Sequence, residues 1–109
     1  MEVCVDYAGR SVVIDREWWV AHVVTPRPKM AAHYGDVIQA IASPNFVHRD
    51  KDDPDRECLY GPYVSHKISP RLMVKVVVEY DANGAGSFIT AYPCSRPGSG
   101  EVQIWTKPK

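Results

Sequence analysis

Apolar and polar residues alternate near the start of this chain, give way to a helical rhythm, and alternate again towards the end. Val3, Val5 and Tyr7 are separated by polar positions, and Ala8-Gly9-Arg10 can turn the chain into Val12-Val13-Ile14. That pattern predicts a short hairpin or strand pair. Asp15 is placed to cap a helix that begins at Arg16, with Ile14 and Trp19 at the two positions of a hydrophobic staple. Helical spacing sets Trp19 beside Val23 and Trp18 beside His22 on neighbouring stripes. Pro26 and Pro28 stop this helix near Val24.

A second helix is expected from about Pro28 to Ala42. Met30, Tyr34, Val37, Ile38 and Ile41 form one buried stripe along it, and Pro28 suits its first turn. Ser43-Pro44-Asn45 ends it, and residues 48–57 are almost wholly charged, which reads as a solvated loop. Beyond that point the pattern is β. Cys58-Leu59-Tyr60 and Tyr63-Val64 predict a strand broken by Gly61-Pro62, and residues 72–80 predict the strongest strand of the chain. In it Val74, Val76 and Val78 line one face, with Lys75, Val77 and Glu79 on the other. A glycine-bearing loop over 81–86 returns the chain into a strand over 87–92, and a looser loop over 95–100 leads to a last strand over 102–105. The expected fold class is α+β, with two N-terminal helices packed on an antiparallel sheet of about four strands and the hairpin added at the N-terminus.

The length of 109 residues fits one domain spanning 1–109 and is too short for two. Thirteen Lys and Arg balance thirteen Asp and Glu, so the whole molecule has no net field to attract a polyanion; only a local cluster of cations would do so. The first residues lack the basic and apolar regions of a secretory signal, and no apolar window is long enough for a membrane span. A soluble, cytoplasmic protein with no membrane partner is expected. Cys4, Cys58 and Cys94 are widely spaced and odd in number, a poor basis for a disulfide framework or a zinc site, so no metal and no cofactor are expected.

The segment Ser87-Phe88-Ile89-Thr90-Ala91-Tyr92-Pro93 is the most informative for chemistry. Thr90 and Tyr92 are two residues apart, so on an extended chain their hydroxyls point to one face about 7 Å apart. Such a pair holds a phosphate or simply suits a half-wet sheet surface. The stretch from Trp18 to Met30, the stretch from Leu72 to Tyr92 with its Thr-Ala-Tyr-Pro, and the closing Val102-Gln103-Ile104-Trp105 together resemble small phage and bacterial domains. These are grouped with the barnase–EndoU–colicin–RelE (BECR) superfamily of metal-independent ribonucleases. His22 matches the family's first histidine and Pro28 its proline; the family's Arg-His step before that proline is Pro26-Arg27 here.

The resemblance implies an endoribonuclease that attacks the phosphate with the ribose 2′-hydroxyl, as a toxin or a phage-related effector. RNA would be its substrate, with an antitoxin or immunity protein as a further partner. Such chemistry needs a base for the 2′-hydroxyl proton, an acid for the leaving 5′-oxygen, and cations or donors around the phosphorane. The catalytic candidates are His22 for proton transfer, Arg27 and Lys67 for the phosphate, and Thr90 with Tyr92 to orient it. Tyr60, His66 and Ser87 are the substrate-binding candidates, Tyr60 as a platform for a base. Each has a plain structural alternative. His22 reads also as a packed, partly buried helix histidine beside Trp18, Arg27, His66 and Lys67 as solvated loop residues, Thr90 and Tyr92 as strand formers, and Tyr60 as a core or rim tyrosine. Trp19 and Trp105 read as core anchors, His33 as an exposed helix residue, and His48 as part of the charged loop. The competing functional reading is a non-catalytic binding module, or an oligomerising module whose open sheet face forms a dimer.

Overall fold

Asp15 caps the first helix as its sequence context predicts: its carboxylate accepts hydrogen bonds from the backbone N–H groups of Glu17 and Trp18. The computed structural model describes residues 1–62 and 72–108. After α1 (Arg16–Trp19) the chain continues directly into a π-helical turn, Val20–Val24, closed by a 2.8 Å hydrogen bond from Thr25 N–H to the Val20 carbonyl. Pro26, which has no N–H to continue the ladder, ends it. A 3₁₀ segment, Pro28–His33, leads into α2 (Tyr34–Ala42). The stripe foreseen on the second helix is buried at Met30, Val37 and Ile41 and half-buried at Tyr34 and Ile38. His33 is half-buried rather than exposed, with its Nδ1 at 3.2 Å from Asp36.

The class is α+β, but the sheet has more strands than foreseen and is mixed. Among the described residues there are seven: β1 (Glu2–Val5), β2 (Ser11–Ile14), β3 (Phe46–Arg49), β4 (Arg56–Pro62), β5 (Met73–Tyr80), β6 (Gly86–Cys94) and β7 (Val102–Thr106). They lie in the order β1-β2-β6-β5-β4-β3-β7. The hairpin β1–β2 is not an appendage. It joins the sheet through a short parallel contact of Val12 and Val13 with Gly86 and Ser87 of β6. β3 falls partly within the run read as a charged loop, and β4 runs through Gly61-Pro62 instead of breaking there. Tyr63 and Val64 lie outside the described residues.

One face of the sheet carries Val12, Ile14, Val47, Leu59, Val74, Val76, Val78, Phe88 and Ala91, all buried against Trp19, Val23, Met30, Val37, Ala40 and Ile41 of the helical layer. Each such aliphatic side chain contributes roughly 1.5–3 kcal/mol by leaving water. The layers approach closely at Gly61, where a Cβ would stand 2.7 Å from that of Ala40. The sheet also curls. Tyr7, just after β1, sits with its ring centroid 4.7 Å from that of Trp105 on β7, although the two strands are at opposite ends of the strand order. The Tyr7 hydroxyl donates to Glu57 on β4, and Arg10 bridges Glu57 and the buried Asp6, which in turn accepts from Tyr80. This chain of polar contacts fastens the hairpin loop across the concave side.

Candidate functional site

Among the described residues no helix covers the other face of the sheet, and side chains from four strands meet on it. Ala91 is buried in the core, so its neighbours Thr90 and Tyr92 on β6 turn the opposite way, both half-buried. Tyr92 pairs across the sheet with Lys75 of β5, and Lys75 pairs with Tyr60 of β4. The Val74-Lys75-Val76 alternation that buries both valines under the helices thus drives a lysine into the middle of the open face.

Lys75 is only 8% exposed, and its charge is matched. Its Nζ lies 2.6 Å from Glu101 Oε2, while the Tyr60 hydroxyl donates to Glu101 Oε1 at 2.5 Å. His48 Nδ1 sits 3.3 Å from the same oxygen, off the line a hydrogen bond needs. Glu101 reaches the face because residues 95–101 fold over it, with Gly98 N–H donating to the Tyr60 hydroxyl. A Cβ at Gly98 would stand 2.3 Å from Glu101 Oε2 and 3.3 Å from Lys75 Nζ, so a larger residue there would displace the Glu101 carboxylate from its present place. Burial alone would lower the Lys75 pKa, but the hydrogen bond to Glu101, together with Cys58, Tyr92 and Tyr60, outweighs it and holds the amine above the ordinary lysine range. Burial likewise works against the Glu101 carboxylate, yet its bonds from Lys75 and Tyr60 pull its pKa below the usual range. The nearby Cys58 thiol is pushed up to about 12, chiefly by burial.

Arg27 approaches from the helical side. Pro28 holds the preceding residue in an extended conformation, and Arg27 accordingly has φ −137° and ψ 80°. Its exposed side chain reaches the open face at the edge of β6. The guanidinium carbon lies 5.4 Å from the Tyr92 ring centroid, and Lys75 Nζ lies 5.6 Å from the same centroid. Both are within cation–π range. Arg27 makes no ion pair among the described residues, whereas Lys75 is neutralised by Glu101.

His22 is exposed on the π-helical turn, its ring packed against Trp18 with centroids 3.7 Å apart and planes tilted by 32°. Trp18 Nε1–H donates to the Ile89 carbonyl of β6 at 2.7 Å, which ties this aromatic pair to the strand that carries Thr90 and Tyr92. The arrangement therefore brings Arg27 to Tyr92, keeps Thr90 on the same face, and tethers His22 to the same strand edge through Trp18.

Other expectations are corrected. Tyr60 has 0% exposure and is stacked by Phe46 at 4.9 Å, so it offers no face to a base and instead holds Glu101. Ser87 is exposed but lies five residues from Tyr92, about 16 Å along the strand. It pairs with Glu79 at the other end of β6. His66 and Lys67 lie outside the described residues. Lys75, Glu101 and Trp18 are the side chains that sequence reading missed; the signal for the first was a lysine set within a run of valines.

No family model, curated protein or solved structure matches the chain. Among the described residues, no helix is long and apolar enough to cross a membrane.

Proposed function

We propose that this protein is a metal-independent endoribonuclease-like domain that cleaves RNA by attack of the 2′-hydroxyl on the adjacent phosphate. The observation that carries the reading is the convergence of Arg27 and Lys75 on Tyr92, with His22 tethered to the same strand. Arg27, which makes no ion pair among the described residues, meets the non-bridging phosphate oxygens and stabilises the charge that grows on them in the phosphorane. Tyr92 and Thr90 supply hydroxyl donors to the same group. His22 takes the proton from the 2′-hydroxyl, and as the P–O5′ bond breaks a solvent water on the open face protonates the departing 5′-oxygen; among the described residues the two imidazole nitrogens make no hydrogen bond. Lys75 stands behind Tyr92 as a neutralised cation, so its role is to orient the ring.

A local cation on a molecule of zero net charge favours a short, specifically placed stretch of RNA over non-specific binding along a polyanion. Action as a toxin or phage-related effector, held in check by an antitoxin or immunity protein, belongs to the same reading. The pairing of Lys75 with Glu101 favours a second one, a binding module of the same architecture without cleavage, because it removes a cation from the face. Incubation of the purified protein with single-stranded RNA in EDTA separates the two. Fragments ending in 2′,3′-cyclic phosphate support cleavage, and RNA that stays intact on long incubation supports binding alone.

A further inference from the structure

We infer that Trp18 is a stacking subsite for one unpaired nucleobase of RNA whose neighbouring phosphate meets Arg27. The inference rests on the RNA reading above and adds the residue that holds the base. Trp18 is 40% exposed, while Trp19 is 6% exposed and Trp105 is half-buried. The exposed part of the indole is a rigid aromatic plate open to a partner ring.

Trp18 is also fixed in place. Ile89 is the bulge residue of β6: Val77 pairs with Thr90 and Val78 with Phe88, so Ile89 has no partner on β5. Its carbonyl takes the indole N–H at 2.7 Å, and His22 backs the indole at 3.7 Å. A ring ordered in advance loses little side-chain freedom when a base stacks on it. Ile89 and Tyr92 are three residues apart on one strand, about 10 Å. Trp18 is held at Ile89 and Arg27 lies against Tyr92, so a short single strand laid along β6 would meet both. An aromatic plate next to a cation is the combination single-stranded nucleic acid sites use, and stacking accepts any base. Tyr60, enclosed beneath Phe46 and the 95–101 loop, is unable to serve this purpose.

The test uses a short 2′-O-methyl oligonucleotide, which cannot be cut, and reads affinity by fluorescence anisotropy. Trp18→Ala should weaken binding roughly ten- to a hundredfold, and Trp18→Phe should restore most of it. Trp18 lies at the surface, and far-UV circular dichroism checks that each variant keeps its fold. An oligonucleotide with one abasic position should lose a similar factor on the wild-type protein and no further factor on Trp18→Ala. Equal affinity of wild type and Trp18→Ala overturns the subsite, as does no binding by the wild type. If RNA is cleaved yet Trp18→Ala cuts and binds normally, the subsite falls and the ribonuclease reading stands. If binding depends on Trp18 and RNA stays intact, the subsite stands and cleavage falls.

Discussion

Lys75 and Glu101, whose oxygen and nitrogen atoms lie 2.6 Å apart, form an ion pair almost wholly excluded from water on the side of the sheet opposite the helices. Removing one partner leaves the other buried without compensation, which costs about 3–5 kcal/mol. Lys75→Met and Glu101→Leu should each lower stability by that order in urea unfolding. The double variant should be less destabilised than the two losses added, because it leaves no orphaned charge. Strict additivity would mean the two side chains do not act as a pair.

The same pair shapes the pH response. The Glu101 pKa is lowered in the folded protein, so its contribution is present above the unfolded carboxylate value of about 4.3 and is lost as pH falls through the folded value. The Lys75 pKa is raised, so its contribution is complete below about 10.4 and is lost only as pH rises through the higher folded value. The stability gap between wild type and Glu101→Gln should therefore be present at neutral pH. It should narrow in acid below pH ~4, as unfolding curves measured across the range would record.

Gly61 gives a test of the packing between layers. An added methyl meets the Cβ of Ala40 at 2.7 Å and its Cα at 2.8 Å, and the latter is backbone with nowhere to turn. Gly61→Ala should cost about 1–3 kcal/mol by pushing α2 away from β4. Adding Ala40→Gly should recover part of the loss, measured as the shift in the urea midpoint.

Arg27 and His22 carry the expected chemistry. Arg27→Ala should cut the rate of RNA cleavage about 10²–10³-fold, as loss of one oxyanion-stabilising donor does. His22→Ala should cut it about 10²–10⁴-fold by removing proton transfer. Arg27→Ala should also reduce the dependence of RNA affinity on salt, since one phosphate contact goes with it. His22→Ala should leave that salt dependence unchanged.

The helical layer and the β5–β6 hairpin were legible because their signals are local. The stripe from Met30 to Ile41, the Asp15 cap and the valines of β5 each follow from spacing within a dozen residues. β3 was hidden because His48 and Arg49 open a charged run, and its strand exists only through partners on both sides, β4 and β7. The parallel contact of β2 with β6 rests on two residue pairs more than 70 positions apart and leaves no mark in the local pattern. In the site, the hydroxyl strand and the proline-flanked arginine stood out. The meeting of Arg27 with Tyr92, and of Lys75 with Glu101, depends on how the sheet curls and where the 95–101 loop comes to rest.

The contact of Tyr7 with Trp105 has a consequence for how the molecule opens. An open sheet normally frays from whichever margin is weaker. Here the two margins clasp each other, so neither peels away without releasing its counterpart, and amide protons at both should exchange through one shared event.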